Sequence, residues 1–145
     1  MPVTSPRSAA ELDACYQLRY AVLRQPWGQP PGSERAPDDE LPETVQAMYT
    51  ADDGAVVGVA RLHASGPGEA QVRYMAVHPD WQGRGVGQQL LHYLENQARQ
   101  QGLHTCVLHS RESAVGFYER LGYSVVEPSH TLFGTIPHFL MRKAL

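Results

Sequence analysis

A glycine-rich stretch in the middle of the chain, Gln82-Gly83-Arg84-Gly85-Val86-Gly87, has the composition of a phosphate-binding loop. Glycine at alternate positions lets the main chain turn sharply and keeps side chains away from its N–H groups. An amphipathic pattern follows, so we expect the positive end of a helix dipole behind those N–H groups. Arg84 could add a charged hydrogen bond to the same anion. We therefore predict a diphosphate site here, in preference to an ordinary glycine-rich turn.

Other classes of phosphate and metal site fit the sequence less well. Gln88 stands where a dinucleotide-binding fingerprint requires glycine, and the chain has no Gly-Lys-Ser/Thr sequence of a P-loop. The seven histidines lack the close spacing of a metal-binding array, so we predict no metal. Cys15 and Cys106 lie in distant segments. An apolar strand pattern surrounds Cys106, and we expect an inert buried thiol rather than a nucleophile.

The elements before this loop follow from changes in hydrophobic period. Ser8 and Glu11 form a capping-box pattern, which predicts a first helix from about Ser8 to Leu23. The prolines and glycines of residues 25–32 predict a loop. A period of two then predicts an antiparallel meander of three strands, at residues 45–50, 55–63 and 70–77.

The second half of the chain alternates between helix and strand. Apolar residues at helical spacing predict one helix from Val86 to about Gly102 and another from about Ala114 to Leu121. Further strands are predicted at residues 105–108, 123–126 and 139–141, with an irregular stretch from Glu127 to Pro137. With 145 residues, the chain is predicted to form a single α/β domain over residues 1–145, a mixed sheet with helices on its faces.

Two segments carry a resemblance to a known family. Gln82-x-x-Gly85-x-Gly87, between a strand ending in Met75-Ala76-Val77 and an amphipathic helix, resembles the CoA-binding signature of the GNAT superfamily of acyl-CoA N-acyltransferases. Residues 113–123 are similar to its Ala-x-x-Phe-Tyr-x-x-x-Gly-Phe segment. Residues 134–143 are similar to the Gly-Ile-Pro-His-x-x-Met closing strand of one uncharacterised branch, although Thr135 replaces a usual glycine.

The resemblance implies a fold and roles for particular residues. It implies a mostly antiparallel sheet with helices on both faces, in which the strand ending at Val77 splays from the next strand, so that the pantetheine arm of CoA lies in the gap. Tyr118 would be the general acid that protonates the departing thiolate, although packing against Phe117 and Leu121 would also explain it. The implied CoA-binding residues are Met75, Ala76, Val77, Gln82, Gly83, Arg84, Gly85, Val86, Gly87, Ser113 and Phe117.

A base is needed on the acceptor side, because an amine must lose a proton to accept an acyl group near neutral pH. His109 and His138 are candidates, since histidine titrates in the useful range. A hydrogen-bonded structural or surface role is the alternative for each. The candidate catalytic residues are therefore Tyr118 and His109, and His138 is also predicted to contact the substrate.

Residues of the acceptor pocket itself are less constrained by the sequence. Arg73 and Tyr74 alternate across their strand, so only one can face the pocket. We predict Arg73, which would favour an acceptor with a carboxylate or phosphate. The loop of residues 27–40 should cover the pocket with Trp27 as a wall. Its acidic run, residues 38–40, is expected to be a solvated face rather than a contact to a cationic amine.

Together these patterns predict a cytoplasmic N-acetyltransferase that transfers the acetyl group of acetyl-CoA to a primary amine of a small molecule. A non-catalytic acyl-CoA sensor and a protein N-terminal or lysine acetyltransferase are the alternatives. The net charge of −3 disfavours a nucleic-acid partner. No apolar run approaches the roughly 20 residues of a membrane span, and no signal-peptide pattern opens the sequence. A homodimer is compatible with the sequence.

Overall fold

The computed structural model, which describes residues 2–145, places seven strands in one sheet. The strands are β1 (Val3–Thr4), β2 (Val45–Thr50), β3 (Val56–Gly66), β4 (Glu69–Val77), β5 (Thr105–Arg111), β6 (Ser124–Leu132) and β7 (Ile136–Ala144). Their spatial order is β1-β2-β3-β4-β5-β7-β6. Every neighbouring pair is antiparallel except β4 and β5, so the predicted mostly antiparallel sheet and the meander β2-β3-β4 are confirmed.

Helices cover both faces of the sheet, as predicted. They are α1 (Ala9–Leu23), α2 (Val86–Gln100) and α3 (Val115–Arg120). Ala47 of β2 belongs to the core beneath α2, whereas the next residue, Met48, packs with Cys15 and Leu18 of α1. Because successive strand residues point to opposite faces, α1 lies on one side and α2 with α3 on the other. None of the helices in residues 2–145 is long and apolar enough to span a membrane.

Each long helix begins where the sequence indicated. The Ser8 hydroxyl accepts a hydrogen bond from the N–H of Glu11 at 3.1 Å and caps α1. In α2 the apolar residues on one face are fully buried, and they form the centre of the larger core. This face consists of Val86, Leu90, Leu91, Leu94 and Ala98. The core thereby fixes the N-terminus of α2 beside β4.

The parallel strands β4 and β5 pair only along their first halves. Glu69 to Val72 lies opposite Thr105 to Leu108, and beyond these residues the strands diverge. The predicted splayed pair is therefore confirmed. The pairing of β4 with β3 shifts in the same region, since Arg73 lies opposite Arg61 and Ala76 opposite Val59. This shift is a β-bulge at the point where the sheet opens.

The prediction of an irregular stretch from Glu127 to Pro137 was wrong. Residues 124–132 and 136–144 form a hairpin, β6 and β7, joined by a turn in which Phe133 and Gly134 have positive φ. As the outer strand of the sheet, β6 is exposed along nearly its whole length, so it shows no alternation of apolar residues. Pro128 is tolerated there because an edge strand does not need every N–H group. Strand β5 is also longer than predicted and carries Arg111 at its end.

The prediction that the acidic run of residues 38–40 is a solvated face was wrong for Asp38 and Asp39, whereas Glu40 is exposed. Asp39 is only 3% exposed, and its carboxylate accepts hydrogen bonds from Arg61 and Arg19, each at 2.9 Å. Asp38 accepts a second bond from Arg61 at 2.7 Å, and this hydrogen bond lowers the pKa of the Asp38 carboxyl. These ion pairs fasten the loop of residues 28–44 to α1 and to β3. Breaking such a buried pair is typically costly, so the loop is held in one position.

Candidate active site

The divergence of β4 and β5 opens a cleft of about 690 Å³ that passes through the sheet. Its walls come from the end of α1 on one face and from α2 and α3 on the other. Every residue predicted for the site lines this cleft except Arg84. The lining members of the predicted set are Trp27, Arg73, Met75, Ala76, Val77, Gln82, Gly83, Gly85, Val86, Gly87, His109, Ser113, Phe117, Tyr118 and His138.

The loop before α2 has the geometry of an anion site. Gly83 and Gly85 have φ of 76° and 81°, which turn the main chain without a Cβ in the way. The N–H groups from Gly83 to Gly87 find no acceptor anywhere in residues 2–145, and no side chain caps the helix. The Gln82 amide donates to the Val77 carbonyl at 3.2 Å and so ties the loop to β4. Unpaired N–H groups at a helix N-terminus fit the diphosphate of CoA.

Close packing holds this loop against α3. A Cβ on Gly87 would lie 3.1 Å from the Phe117 ring and 3.9 Å from the Met75 sulfur. Phe117 therefore serves both as core beside α2 and as a wall of the cleft. Arg84 does not line the cleft, but its guanidinium lies 4.3 Å from the ring centre of Trp81, which does.

Tyr118 reaches the cleft from the α2 side of the sheet. Its ring packs edge-on against Phe117 and Tyr123, with centroids 5.0 and 6.0 Å away, and only 8% of the residue is exposed. Its hydroxyl has no hydrogen-bond partner among residues 2–145. Burial raises the pKa of this phenol to about 12. The packing interpretation is thus correct for the ring, while the hydroxyl remains protonated and free to donate at neutral pH.

Both Arg73 and Tyr74 line the cleft, so the prediction that only one of them could do so was wrong. The bulge in β4 gives Tyr74 a φ of 58° and breaks the alternation of side chains. The Tyr74 ring consequently lies among guanidinium groups, 4.3 Å from Arg19, 4.7 Å from Arg73 and 5.1 Å from Arg61. Arg73 and Tyr74 therefore line the cleft together, and neither excludes the other.

Three histidines meet at the open end of β5. The rings of His130 and His138 stack with centroids 4.5 Å apart, and His109 lies 5.4 Å from His130. Nδ1 of His138 is 2.9 Å from the carbonyl oxygen of Ile136, which requires the proton on Nδ1 and leaves Nε2 as an acceptor. Burial lowers the pKa of His109 and of His138, and the neighbouring His130 adds to both shifts.

His130 is not among the residues predicted from the sequence, because it lies in the stretch that the sequence predicts to be irregular. Had the hairpin been recognised, the strand period would have placed His130 near His138, as β6 and β7 are neighbours.

Comparison with known proteins agrees with this geometry. The model of the acetyltransferase (GNAT) family matches residues 12–123. The chain belongs to the GNAT family. The predicted acyl-CoA-dependent N-acetyltransferase is thereby confirmed at the level of the family, whose members use acyl-CoA and act on acceptors that carry an amine.

Individual relatives extend over the whole GNAT chain. A protein of Bacillus subtilis (strain 168), provisionally named as an acetyltransferase, is 29% identical over 99% of this chain and 96% of its own. A structure from Lactobacillus plantarum, provisionally described as an N-acetyltransferase, has a TM-score of 0.85 and 25% identity, covering 99% and 97%. An aminoglycoside 6'-N-acetyltransferase complexed with coenzyme A has a TM-score of 0.83 over the same shares. At 18% identity, the last comparison shows the fold alone.

On the face covered by α1, the GNAT fold presents an aromatic and basic wall. Trp27 lies 6.1 Å from Phe133 of the β6–β7 turn, and the Arg111 guanidinium is 5.3 Å from the Trp27 ring centre. Arg24, at the end of α1, lines the same wall and donates to the Ser33 carbonyl at 3.1 Å. Of residues 27–40, the loop predicted to cover the pocket, only Trp27 lines the cleft. Neither arginine is predicted from the sequence, and Arg111 lies beyond the predicted end of its strand.

The thiol of Cys106 is not available for chemistry in the GNAT site. Cys106 is fully buried, and burial raises the pKa of its thiol to about 11. A protonated, inaccessible thiol cannot act as a nucleophile, in line with the expectation from the sequence. Within residues 2–145, no group of three His, Cys, Asp or Glu side chains is arranged to hold a metal ion.

Proposed function

We propose that this GNAT protein transfers the acetyl group of acetyl-CoA directly to the primary amine of a small molecule. The observation that carries the proposal is the hydroxyl of Tyr118, unpaired and protonated in a cleft that connects the two faces of the sheet. On one face the cleft begins at the unpaired N–H groups of the loop before α2, and on the other it ends at three histidines.

The α2 side of the cleft would bind the cosubstrate. N–H groups of residues 83–87 would hold the diphosphate, and the edge of β4 from Arg73 to Val77 has no strand partner in the gap, so its main chain can bond the pantetheine amides. An N–H group on this edge would also polarise the acyl carbonyl. Acetyl-CoA supplies a thioester, whose acyl carbon accepts the amine and whose sulfur leaves as a thiol.

Tyr118 would deliver a proton where that sulfur leaves. With a pKa of about 12, the Oη atom is protonated throughout the neutral range. A positioned donor of this kind is worth roughly 10²–10⁴-fold in rate. A pure sensor of acyl-CoA would need no proton donor in this place, which favours catalysis over the regulatory alternative.

His138 is the stronger of the two candidate bases. Its Nε2 is the free acceptor atom because Nδ1 donates its hydrogen bond to the Ile136 carbonyl, whereas among residues 2–145 no such bond fixes the tautomer of the exposed His109. The lowered pKa keeps the imidazole neutral at physiological pH, so it can receive a proton from the amine. His109 then stands beside His130 as a neighbour of the base.

The pH dependence of kcat/KM tests the base. A base acts when deprotonated, and the folded protein lowers the pKa of His138, so we expect activity to fall only as pH drops below the ordinary histidine value of about 6.5. His138→Gln should remove this acidic limb and reduce kcat/KM by about 10²-fold. His109→Gln is the matched control and should keep the limb. Loss of the limb in His109→Gln alone would move the role of base to His109.

A panel of amines tests the proposed function itself. We expect acetyl-CoA to raise the melting temperature and at least one small primary amine to release free CoA thiol, measured with a thiol reagent. The panel should include a peptide with a free N-terminus and one with lysine, because these two substrates test the alternative of a protein acetyltransferase. Stabilisation without thiol release from any amine would favour the sensor, and release with peptides alone would favour a protein acetyltransferase.

A further inference from the structure

The charges of the cleft point to a particular class of acceptor. We propose, building on the proposed function, that the acceptor amine carries a carboxylate or phosphate group that Arg73 and Arg111 recognise. The net charge of the chain is −3, yet no Asp or Glu of residues 2–145 lines the cleft. Its charged and titratable lining consists of Arg24, Arg73, Arg111 and the three histidines, besides two tyrosines.

These basic groups lie on the face opposite the predicted diphosphate loop. Val72 and Leu108 are register partners, and both belong to the core beneath α2. Their successors Arg73 and His109 therefore point to the α1 face, because side chains alternate along a strand. Arg111, two residues beyond His109 and opposite His138 of β7, shares that face. The acceptor is expected on this side, beneath Trp27.

CoA does not account for these charges. Its anionic groups are phosphates, for which the loop of residues 83–87 lies on the α2 side, whereas the thioester end that would reach the splay is uncharged. A basic wall on the α1 face thus serves the other substrate. An acceptor that bore only positive charge would meet repulsion there.

Arg73 and Arg111 are held ready to bind an anion. The Arg73 guanidinium lies 4.7 Å from the Tyr74 ring centre, and that of Arg111 lies 5.3 Å from Trp27. Neither has a carboxylate within 4.0 Å or a side-chain hydrogen bond in the described part of the chain. A guanidinium supported by an aromatic face keeps its N–H fork available for two-point binding of carboxylate or phosphate. By contrast, Arg24 is already bonded to the Ser33 carbonyl.

Matched amines separate this inference from the proposed function. We would compare β-alanine and O-phosphoethanolamine with the neutral β-alaninamide and the cationic 1,3-diaminopropane, following thiol release. We expect at least one anionic amine to exceed β-alaninamide by about tenfold or more in kcat/KM, since hydrogen bonds to a charged group are worth about one such factor each. The carboxylate and phosphate arms decide which anion is preferred.

Variants assign the preference to residues. Arg73→Gln and Arg111→Gln should each raise KM for the preferred anionic amine by about tenfold and leave KM for β-alaninamide and the affinity for CoA unchanged. The control is Arg99→Gln, on α2 and bonded to Asn96 outside the cleft. Arg73→Lys and Arg111→Lys keep the charge and should restore part of the preference, which guards against loss of fold in the glutamine variants.

Calorimetry of the wild-type protein saturated with CoA supplies a readout that needs no turnover. Binding of β-alanine or O-phosphoethanolamine without transfer from acetyl-CoA would overturn the proposed function and keep the anion site. Faster transfer to the neutral or cationic amine, or an unchanged preference in both glutamine variants, would overturn the anion site alone. If the protein showed neither transfer to these amines nor binding of them, both the proposed function and the anion site would be overturned.

Discussion

Tyr118→Phe is expected to reduce kcat by about 10²-fold or more and to leave the affinity for acetyl-CoA unchanged. The substitution removes one oxygen atom that has no hydrogen-bond partner in the described chain, so the ring can keep its contacts with Phe117 and Tyr123. What disappears is the proton that the hydroxyl would give to the leaving sulfur. Steady-state kinetics with thiol release and calorimetry with CoA measure the two effects separately.

Tyr93→Phe is a suitable control for this prediction. Tyr93 lies on α2 with its hydroxyl 2.9 Å from that of Ser5 and does not line the cleft. Its loss of a hydroxyl should leave kcat at the wild-type value. Equal rates for Tyr118→Phe and the wild type would remove Tyr118 from the mechanism, and equal losses in both variants would indicate a general effect of stability.

Gly85→Val is expected to raise the Kd for CoA by about tenfold to a hundredfold. Gly85 has a φ of 81°, which a β-branched residue adopts only with strain, so the loop must rearrange and its N–H groups no longer converge. Loss of one or two charge-assisted hydrogen bonds, at roughly 1.5–3 kcal/mol each, accounts for this range. Calorimetric titration with CoA measures the change.

Gly102→Val separates binding from backbone strain. Gly102 follows the other end of α2 and has a φ of 77°. As at Gly85, a Cβ added to Gly102 would have no neighbouring atom within 4 Å. The two variants should therefore lose similar melting temperature, while Gly102→Val keeps the wild-type affinity for CoA. Equal affinity in Gly85→Val and Gly102→Val would contradict the assignment of the diphosphate to this loop.

Local patterns predicted well which residues line the α2 side of the cleft. The glycines of the loop and the start of α2 are neighbours in sequence, so their arrangement depends on short-range geometry, whereas Tyr118 lies on α3 and was identified through the family resemblance of residues 113–123. The resemblance of two segments to one superfamily added the splay between β4 and β5, which no local period could indicate.

The acceptor side depended on contacts between distant residues and was predicted less well. A bulge changes the direction of Tyr74, but its cause lies in pairing with β3, about 15 residues away in sequence. His130 meets His138 because β6 pairs with β7. The sequence does not predict this pairing, because β6 is an exposed edge strand without a strand period of apolar residues. The charged neighbours of Asp39 in sequence indicate an exposed residue. It is buried because it pairs with Arg19 and Arg61, which are distant in sequence.

The buried pairing of Asp39 with Arg19 and Arg61 also supports one wall of the cleft, because the Tyr74 ring that lines it lies 4.3 Å from Arg19 and 5.1 Å from Arg61. Because these ion pairs are formed before any amine arrives, we expect this wall to need no slow rearrangement on encounter, and little binding free energy to be spent on ordering it. Selection among amines then depends on the fixed shape of the cleft. Widening the range of acceptors would require new side chains on its inner surface rather than a more flexible hinge.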